Sequence, residues 1–306
     1  MIFRIGTRGS KLALAQSGWI KEKIEERHTD VRVELVIIKT TGDKILDSPL
    51  SKIGGKGLFV KEIEEALLNK HIHMAVHSMK DVPAELPDEL MLCAFPERED
   101  PRDAFISIKD KSIESLPQGS TVGTSSLRRS AQLLHMRSDL DIIALRGNVD
   151  TRLRKLESRD VRAIILAAAG LKRLGLADRI TSIIPSEQVL PAIGQGALGL
   201  EVRHSDHDTI GLLDFLNHKP TEITVLAERA FLKELEGGCQ VPIAAFALLN
   251  SNKVHLRGMV AELDGSRIIR DEISGNIHQA EEMGIKLAKR LLDAGAGDIL
   301  SRIYKR

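Results

Sequence analysis

Aromatic residues are scarce in this chain: one Trp, one Tyr and seven Phe among 306 residues, 3% in all. Any core must therefore be built mainly from Leu, Ile, Val and Ala, and an apolar fraction of 42% supplies enough of them. Cysteine is scarcer still. Cys93 and Cys239 are the only two, too few for a disulfide framework, so a reducing cytoplasm is the simpler expectation. A single Cys93–Cys239 bridge stays open on count alone. No run approaches the ~20 apolar residues that span a bilayer. Met1-Ile2-Phe3-Arg4-Ile5 passes straight into a polar glycine turn, so no signal peptide is expected. Net charge is only +1, which gives no global pull toward nucleic acid. Neither nucleic acid nor a membrane is expected as a partner. The length leaves room for two or three domains at ~100–200 residues each.

Of the two cysteines, Cys239 has the more telling surroundings. It lies in Leu235-Glu236-Gly237-Gly238-Cys239-Gln240-Val241-Pro242. Two glycines before it free the backbone and leave space around the sulfur. A soft nucleophile on such a turn suits covalent attachment, against the competing reading of a buried structural thiol. Cys93 sits in Leu90-Met91-Leu92-Cys93-Ala94-Phe95, which reads as a buried strand.

Ile2–Ile5 reads as a strand that ends in Gly6-Thr7-Arg8-Gly9-Ser10, and Leu12, Ala15, Trp19, Ile20 and Ile24 follow at helical spacing. Val31–Ile38 reads as a second strand, Leu58–Asn69 as a helix and His73–His77 as a strand. Lys39–Lys56 is long, polar and without period, as functional or mobile loops are. Glu97–Asp103 is a charged, proline-containing break. Beyond it Thr121–Gly123 ends a strand, Leu127–Met136 reads as a helix, Asp141–Leu145 as a strand, Val149–Glu157 as a helix and Arg162–Leu166 as a strand. Pro191–Gly196 is another break. Strands alternating with helices predict mainly parallel α/β sheets. From Pro220 the order becomes one helix through Leu235, three strands to about Ser274 and a helix from about Gln279 to Leu292, the pattern of an α+β domain.

Three strand-to-helix turns carry hydroxyls and arginines. Gly123-Thr124-Ser125-Ser126-Leu127-Arg128-Arg129 leaves a strand and opens a helix, where unpaired amides attract anions. Two adjacent arginines on one helical turn point in different directions, so both reach one ligand only if it is extended or lies in a cleft. Leu145-Arg146-Gly147-Asn148-Val149-Asp150-Thr151-Arg152 repeats the device, and Thr7, Arg8 and Ser10 repeat it again. Guanidinium forks match carboxylates and phosphates; taken singly, each turn is equally an ordinary capped helix with solvated arginines. Ligands of open α/β sheets bind at the carboxyl ends of strands, so together the turns predict a cleft between two α/β units that takes several anionic groups. In Ala75-Val76-His77-Ser78-Met79-Lys80-Asp81-Val82-Pro83 a buried strand runs out into Lys80 and Asp81. A carboxylate there can steady a developing positive charge, or simply make a surface turn. Ile53-Gly54-Gly55-Lys56-Gly57-Leu58-Phe59 lacks Walker spacing and reads better as a lysine-bearing lid than as a phosphate cradle. His71, His73 and His77 alternate on the face of an expected strand, but no partner has ligand spacing and no metal is expected.

Together these residues resemble the porphobilinogen deaminase (hydroxymethylbilane synthase) family nearly end to end. The resemblance rests on Gly6–Ala13, Gly54–Phe59, Ala75–Pro83, Gly123–Arg129, Leu145–Val149, Gly194-Gln195-Gly196 and Glu236–Pro242. His73 departs from it, standing where relatives carry Asp, outside the chemistry. The resemblance implies an α/β fold: two periplasmic-binding-protein-like α/β domains with a central cleft, 1–97 with 193–216 and 98–192, and a smaller C-terminal α+β domain, 217–306. It implies a dipyrromethane cofactor held to Cys239 by a thioether, onto which four porphobilinogens condense head to tail with loss of ammonia before hydrolysis releases hydroxymethylbilane. Each ring carries an acetate and a propionate, which is what the arginines and hydroxyls would serve. By resemblance Lys80, Asp81, Thr124, Ser125, Ser126, Arg128, Arg129, Arg146 and Gly147 attend the cofactor. Arg8, Ser10, Arg146, Arg152, Arg173 and Gln195 attend substrate, and Lys52, Lys56 and Phe59 belong to a lid. Asp81 is the expected catalytic residue, accepting pyrrole N–H bonds and stabilising the cationic ring. A cytoplasmic monomer is implied. A two-lobed binding module for a small anion is the alternative.

Overall fold

The computed structural model describes residues 1–44, 60–236 and 241–304. Their elements run β1 (Ile2–Thr7), α1 (Lys11–Arg27), β2 (Arg32–Ile37), α2 (Thr41–Lys44), α3 (Lys61–Leu68), β3 (Met74–Ser78), β4 (Leu90–Ala94), β5 (Asp103–Ser107) and β6 (Thr121–Gly123). Then come α4 (Leu127–Met136), β7 (Asp141–Ile143), α5 (Val149–Glu157), β8 (Ala163–Ala167), α6 (Ala168–Arg173), β9 (Ser182–Ile184), β10 (Leu198–Arg203) and α7 (His207–Leu213). The chain ends in α8 (Lys219–Glu234), β11 (Ile243–Asn250), β12 (Lys253–Ala261), β13 (Ile268–Asn276), α9 (Ala280–Leu291) and α10 (Gly297–Tyr304). They form two compact units, Met1–Glu99 with Ala197–Glu222 and Asp100–Gly196 with Ile223–Arg306.

The first unit is built on one sheet in the order β2-β1-β3-β10-β4. α1 begins where it does because the Ser10 hydroxyl accepts the Ala13 amide at 3.2 Å. It buries Gln16, Ile20 and Ile24, spaced by four, against the sheet. Phe3, Ile5, Met74, Val76, Leu200 and Val202 fill that layer, and Ile63, Leu67 and Ile72 fill the opposite one with α3.

The second unit holds two sheets. One runs β7-β6-β8-β5-β9, and the other is the antiparallel meander β11-β12-β13. The meander packs on Phe231 of α8 and on Met283, Leu287 and Leu291 of α9. Its tip meets the other sheet's helix α4. Gly265, at φ +71°, comes so close that a Cβ would lie 2.5 Å from the Ala131 carbonyl oxygen and 2.6 Å from the His135 amide. His135 Nδ1 donates to the Gly265 carbonyl at 2.8 Å. The fold is thus α/β, with two α/β sheets and a smaller C-terminal α+β part.

Helices α4 and α5 occupy the spans their sequences predict. The sheets are mixed, however, where mainly parallel ones were expected. β1 is parallel to β2 and β3, but β10 is antiparallel to β3 and β4. Likewise β6 is parallel to β7 and β8, while β5 is antiparallel to β8 and β9. Alternation fixes direction only for strands joined by a helical crossover; β10 re-enters its sheet after an excursion of about a hundred residues through the other unit. Of the three alternating histidines only His77 lies in β3, because the strand starts at Met74. His73 stacks on Phe3 at 5.1 Å and accepts from the Arg4 amide. Cys93 is a half-buried free thiol, pushed up to about 12 by burial. The expected Lys39–Lys56 loop contains α2, preceded by Lys39 and the buried Thr40, and its residues from 45 on lie outside the described residues.

Candidate active site

Parallel pairing of β1 with β3 brings their carboxyl ends to one edge, with Ile5 beside Met74 and Gly6 beside Ala75. The chain leaves β1 through Arg8 to the Ser10 cap. It leaves β3 through one 3-10 turn, Met79–Asp81, closed by the Val82 amide donating to the Met79 carbonyl at 3.2 Å. The Met79 amide also donates to the Ala197 carbonyl at 3.0 Å, tying the turn to the start of β10. Between these strand ends lies a cavity of about 60 Å³ lined by Arg8, Ser10, Gln16, His77, Ser78 and Asp81 among others. The Gln16 amide and the Ser78 hydroxyl exchange hydrogen bonds at 2.9 and 3.2 Å. Three residues singled out in two separate motifs, Arg8 and Ser10 in one and Asp81 in the other, therefore share one cavity. Lys80, next to Asp81, is half-buried.

In the second unit the turns after β6 and β7 lie side by side. The Thr124 amide donates to the Ile143 carbonyl at 2.9 Å, and the Ser125 hydroxyl donates to the Leu145 carbonyl. Thr124 is buried, and Ser126 caps α4 by accepting the Arg129 amide at 3.4 Å. Asn148 caps α5 in the same way through the Thr151 amide at 3.0 Å. Gly147, at φ +101°, takes a conformation that favours glycine, and its carbonyl accepts Arg152 Nε at 3.0 Å. Arg146 is half-buried beside it. Arg173, at the end of α6, donates to the Gly196 carbonyl at 2.7 Å.

Arg128 and Arg129 do not diverge as their adjacency on a helix predicted. Both turn onto Asp103, the first residue of β5, which is fully buried. Arg129 Nη2 and Nε reach its Oδ1 at 2.7 and 3.0 Å, and Arg128 Nη2 reaches Oδ2 at 2.8 Å. Arg128 Nη1 donates to the Leu190 carbonyl at 2.6 Å, and Arg129 Nη1 to the Ile165 carbonyl at 3.1 Å. Gln195, expected among the substrate contacts, is 1% exposed. Its amide nitrogen donates to Asp103 Oδ1 at 2.9 Å and to the Pro101 carbonyl at 2.6 Å. Burial pushes the Asp103 carboxyl up, but the charges of Arg128 and Arg129 and the hydrogen bonds from Arg129 and Gln195 outweigh it and hold the group at about 2. Two cations share this carboxylate, so a positive surplus is left. Arg152 feels it: burial, then the charge of Arg129, pushes its guanidinium down to about 10.

Asp103 went unnoticed in the sequence, where it closes a run of surface-like charges. The available signal was its other neighbour, the apolar Ala104-Phe105-Ile106, which makes it the charged first residue of a buried strand. Cys239, Lys52, Lys56 and Phe59 lie outside the described residues. Among the described residues no group of three His, Cys, Asp or Glu side chains could hold a metal ion, and no helix is long and apolar enough to cross a membrane.

Residues 3–211 match the family model described as porphobilinogen deaminase, dipyromethane cofactor binding domain. Residues 222–293 match the porphobilinogen deaminase C-terminal domain. The chain belongs to the porphobilinogen deaminase family. It is 54% identical over 303 residues to the porphobilinogen deaminase of Geobacter sulfurreducens, covering 99% of this chain and 95% of that one. It is 55% identical over 303 residues to that of Trichlorobacter lovleyi, covering 99% and 97%. Among solved structures, a TRAP periplasmic solute binding protein from Desulfovibrio salexigens matches with TM-score 0.45 and 11% identity over 72% of this chain and 74% of that one, a likeness too remote to argue from. The activity is that of a porphobilinogen deaminase, a transferase of tetrapyrrole biosynthesis, with dipyrromethane as its cofactor. The binding-module alternative has only remote likenesses of this kind behind it.

The second-unit turns fit that cofactor. A dipyrromethane with acetate and propionate arms presents carboxylates. Arg152, depressed by burial and by a neighbouring cation, is a guanidinium whose charged form gains from an added anion. The hydroxyls of Thr124, Ser125 and Ser126 and the φ-positive Gly147 complete a polar surface of suitable chemistry.

Proposed function

We propose that the two units divide the family's reaction between them, recognition by the second-unit arginines and charge stabilisation by Asp81 of the first. The observation that carries this reading is the shared wall of Arg8, Ser10 and Asp81 at the carboxyl ends of β1 and β3. Cys239 would hold the dipyrromethane through a thioether, and the bound group would supply the free pyrrole α-carbon to which the first porphobilinogen is joined, each added ring then offering the position for the next. Arg146 and Arg152, with the Thr124–Ser126 hydroxyls, grip its carboxylates. Arg128 and Arg129 take part from a fixed position, since Asp103 and the Leu190 and Ile165 carbonyls already orient their planes. Gln195 serves as a positioning residue through Asp103 rather than by touching substrate.

On the first unit's side, Arg8 and Ser10 receive substrate carboxylates at the start of α1. Asp81 accepts the pyrrole N–H bonds and opposes the positive charge that appears as ammonia leaves and the rings join. Lys80 orients the bound carboxylates beside it, and Lys52, Lys56 and Phe59 form a cover. A monomer in the cytoplasm, divided at 1–97 with 193–216, 98–192 and 217–306, is the organisation we favour. Intact-protein mass spectrometry tests the attachment. The purified protein should exceed its sequence mass by one dipyrromethane, and Cys239→Ser should lose both that excess and the activity. A fully active wild-type protein of unmodified mass would overturn it.

A further inference from the structure

A second cavity, of about 330 Å³, lies within the second unit between one face of β12 and β13 and the segment that follows β9. It shares no residue with the Asp81 cavity, and its volume falls in the range of small-molecule sites. Antiparallel pairing sets Arg257 opposite Glu272 and Met259 opposite Arg270, so Arg257 and Arg270 are diagonal neighbours on one face of the meander. Met259 joins that face to Leu190 in one buried cluster. Leu190 lines the cavity, and its backbone is fixed at both ends: the amide donates to Gln132 Oε1 at 2.8 Å, and the carbonyl accepts Arg128 Nη1 at 2.6 Å. This wall is therefore in place before any ligand arrives. The charges around it are unevenly answered. Asp271 is engaged by Arg290 of α9 at 2.7 Å, and Glu272 lies 3.5 Å from His255 Nε2. Arg257 donates from Nη1 to Glu187 Oε1 at 3.0 Å and from Nη2 to the Ser186 hydroxyl at 2.9 Å, while its Nε is buried without a partner. Glu187 and Glu272 are 68% and 64% exposed, which puts them at the mouth; Arg257, at 17%, lies deeper. Arg270 has no hydrogen bond or ion pair among the described residues. Partial burial pushes its guanidinium down, and no carboxylate pulls it back.

We propose that this cavity is a second ligand site, for a small molecule that carries a carboxylate at one end and an ammonium group at the other. Arg270, with Arg257 beside it, takes the carboxylate, because a guanidinium without a fixed partner gains most from an added anion. Glu272 and Glu187 take the ammonium at the mouth. Arg270 and Glu272 are two residues apart on one face of β13, roughly 7 Å along the strand, and that spacing sets the separation of the ligand's two charges. A molecule with a carboxylate alone would face the two glutamates unanswered, and one with an amine alone would face the arginines. Nothing in this site depends on the role of Asp81.

The probe is 5-aminovalerate, whose charged ends are spaced to match, with valerate and pentylamine as its single-charge counterparts. Each is titrated into the 15N-labelled holoenzyme while the Gly258 amide and Arg270 Nε signals are followed by NMR. 5-Aminovalerate should move both signals and saturate with Kd ~1 mM, the scale that two charge-assisted contacts support. Valerate should bind about tenfold more weakly, and pentylamine should give no saturable shift. Arg270→Met should weaken 5-aminovalerate binding about tenfold or more, read at Gly258, and Glu272→Gln should reduce it to the level of valerate. Both substitutions fall on exposed side chains, and a thermal melt checks that each variant is folded. Lack of a saturable shift at tens of millimolar, an unchanged affinity in folded Arg270→Met, or valerate binding as tightly as 5-aminovalerate would overturn the site. So would shifts confined to the turn after β1 with Gly258 unmoved, which would put the probe in the Asp81 cavity instead.

Discussion

In the first unit, the turn after β1 delivers one arginine and one hydroxyl to a cavity that also holds Asp81. In the second, the turns after β6 and β7 deliver Arg128, Arg129, Arg146 and Arg152, with Asp103 buried beneath the first pair. The local pattern of strand, polar turn and capped helix is the same in both, and the electrostatics differ. Asp81, the carboxylate proposed to answer a transient cation, sits in a cavity wall. A carboxylate that must hold two arginines still sits at 0% exposure between them. Burial thus separates the proposed reacting group from the supporting one when residue type and local sequence do not.

The sharpest way to break this contrast is Asp103→Ala. It leaves two buried guanidiniums uncompensated and should cost about 3–5 kcal/mol, read as a lowered melting temperature together with poor cofactor assembly. In wild type the folded carboxyl titrates below its ordinary value. The stability it lends is therefore complete above about pH 4 and is lost as pH falls through about 2. An Asp103→Ala protein that melts like wild type would dissolve the distinction.

Asp81→Asn should do the converse, with the melt little changed and kcat down roughly a hundred- to a thousandfold. Asp81→Glu should retain more activity than Asn, since it keeps the charge. An Asn variant with assembled cofactor and near-normal kcat would end Asp81's role. Next in size, Arg152→Leu should weaken carboxylate binding about ten- to a hundredfold. Mass spectrometry should show it as stalled covalent intermediates, without loss of stability, because a poorly compensated, half-buried cation has gone. Full-length products at normal rate would place that arginine outside the grip.

The smallest effect concerns Glu64→Gln and the pH dependence of stability. The folded Glu64 is raised above its ordinary value, so its contribution is present below about pH 4.5 and lost as pH rises through about 7. The Gln variant should therefore be more stable at pH 8 by about 1 kcal/mol, after discount for solvent screening, and indistinguishable at pH 4. Urea unfolding at the two pH values decides it.

Periodicity located α4 and α5 residue for residue, because an amphipathic helix with a Ser or Asn cap is a local object. The antiparallel strands β5, β9 and β10 escaped, since their direction is set by partners distant in sequence. The same division runs through the site. Arg8 and Ser10 were legible from the turn after β1 and Asp81 from the turn after β3, and their common cavity follows from the parallel pairing of those strands. The convergence of Arg128 and Arg129 was not legible. On a helix alone they diverge; only a carboxylate delivered by β5 turns both the same way. Gln195 lies in the Pro191–Gly196 stretch that reads as a break in the chain, yet the positive-φ Gly194 and Gly196 let the chain fold inward and carry the amide to Asp103.

Gly265 carries a consequence of another kind. The tip of the β12–β13 hairpin lies against the backbone of α4 with no space for a methyl group, and β11 at the other side of that meander begins four residues after Cys239. The C-terminal meander and α4 are thus mounted on one chassis whose wheelbase is set at Gly265. A larger residue there would leave every described side chain of the second-unit turns unaltered and push the meander away from the helix. The resulting error would be one of gauge: sound parts, wrongly spaced.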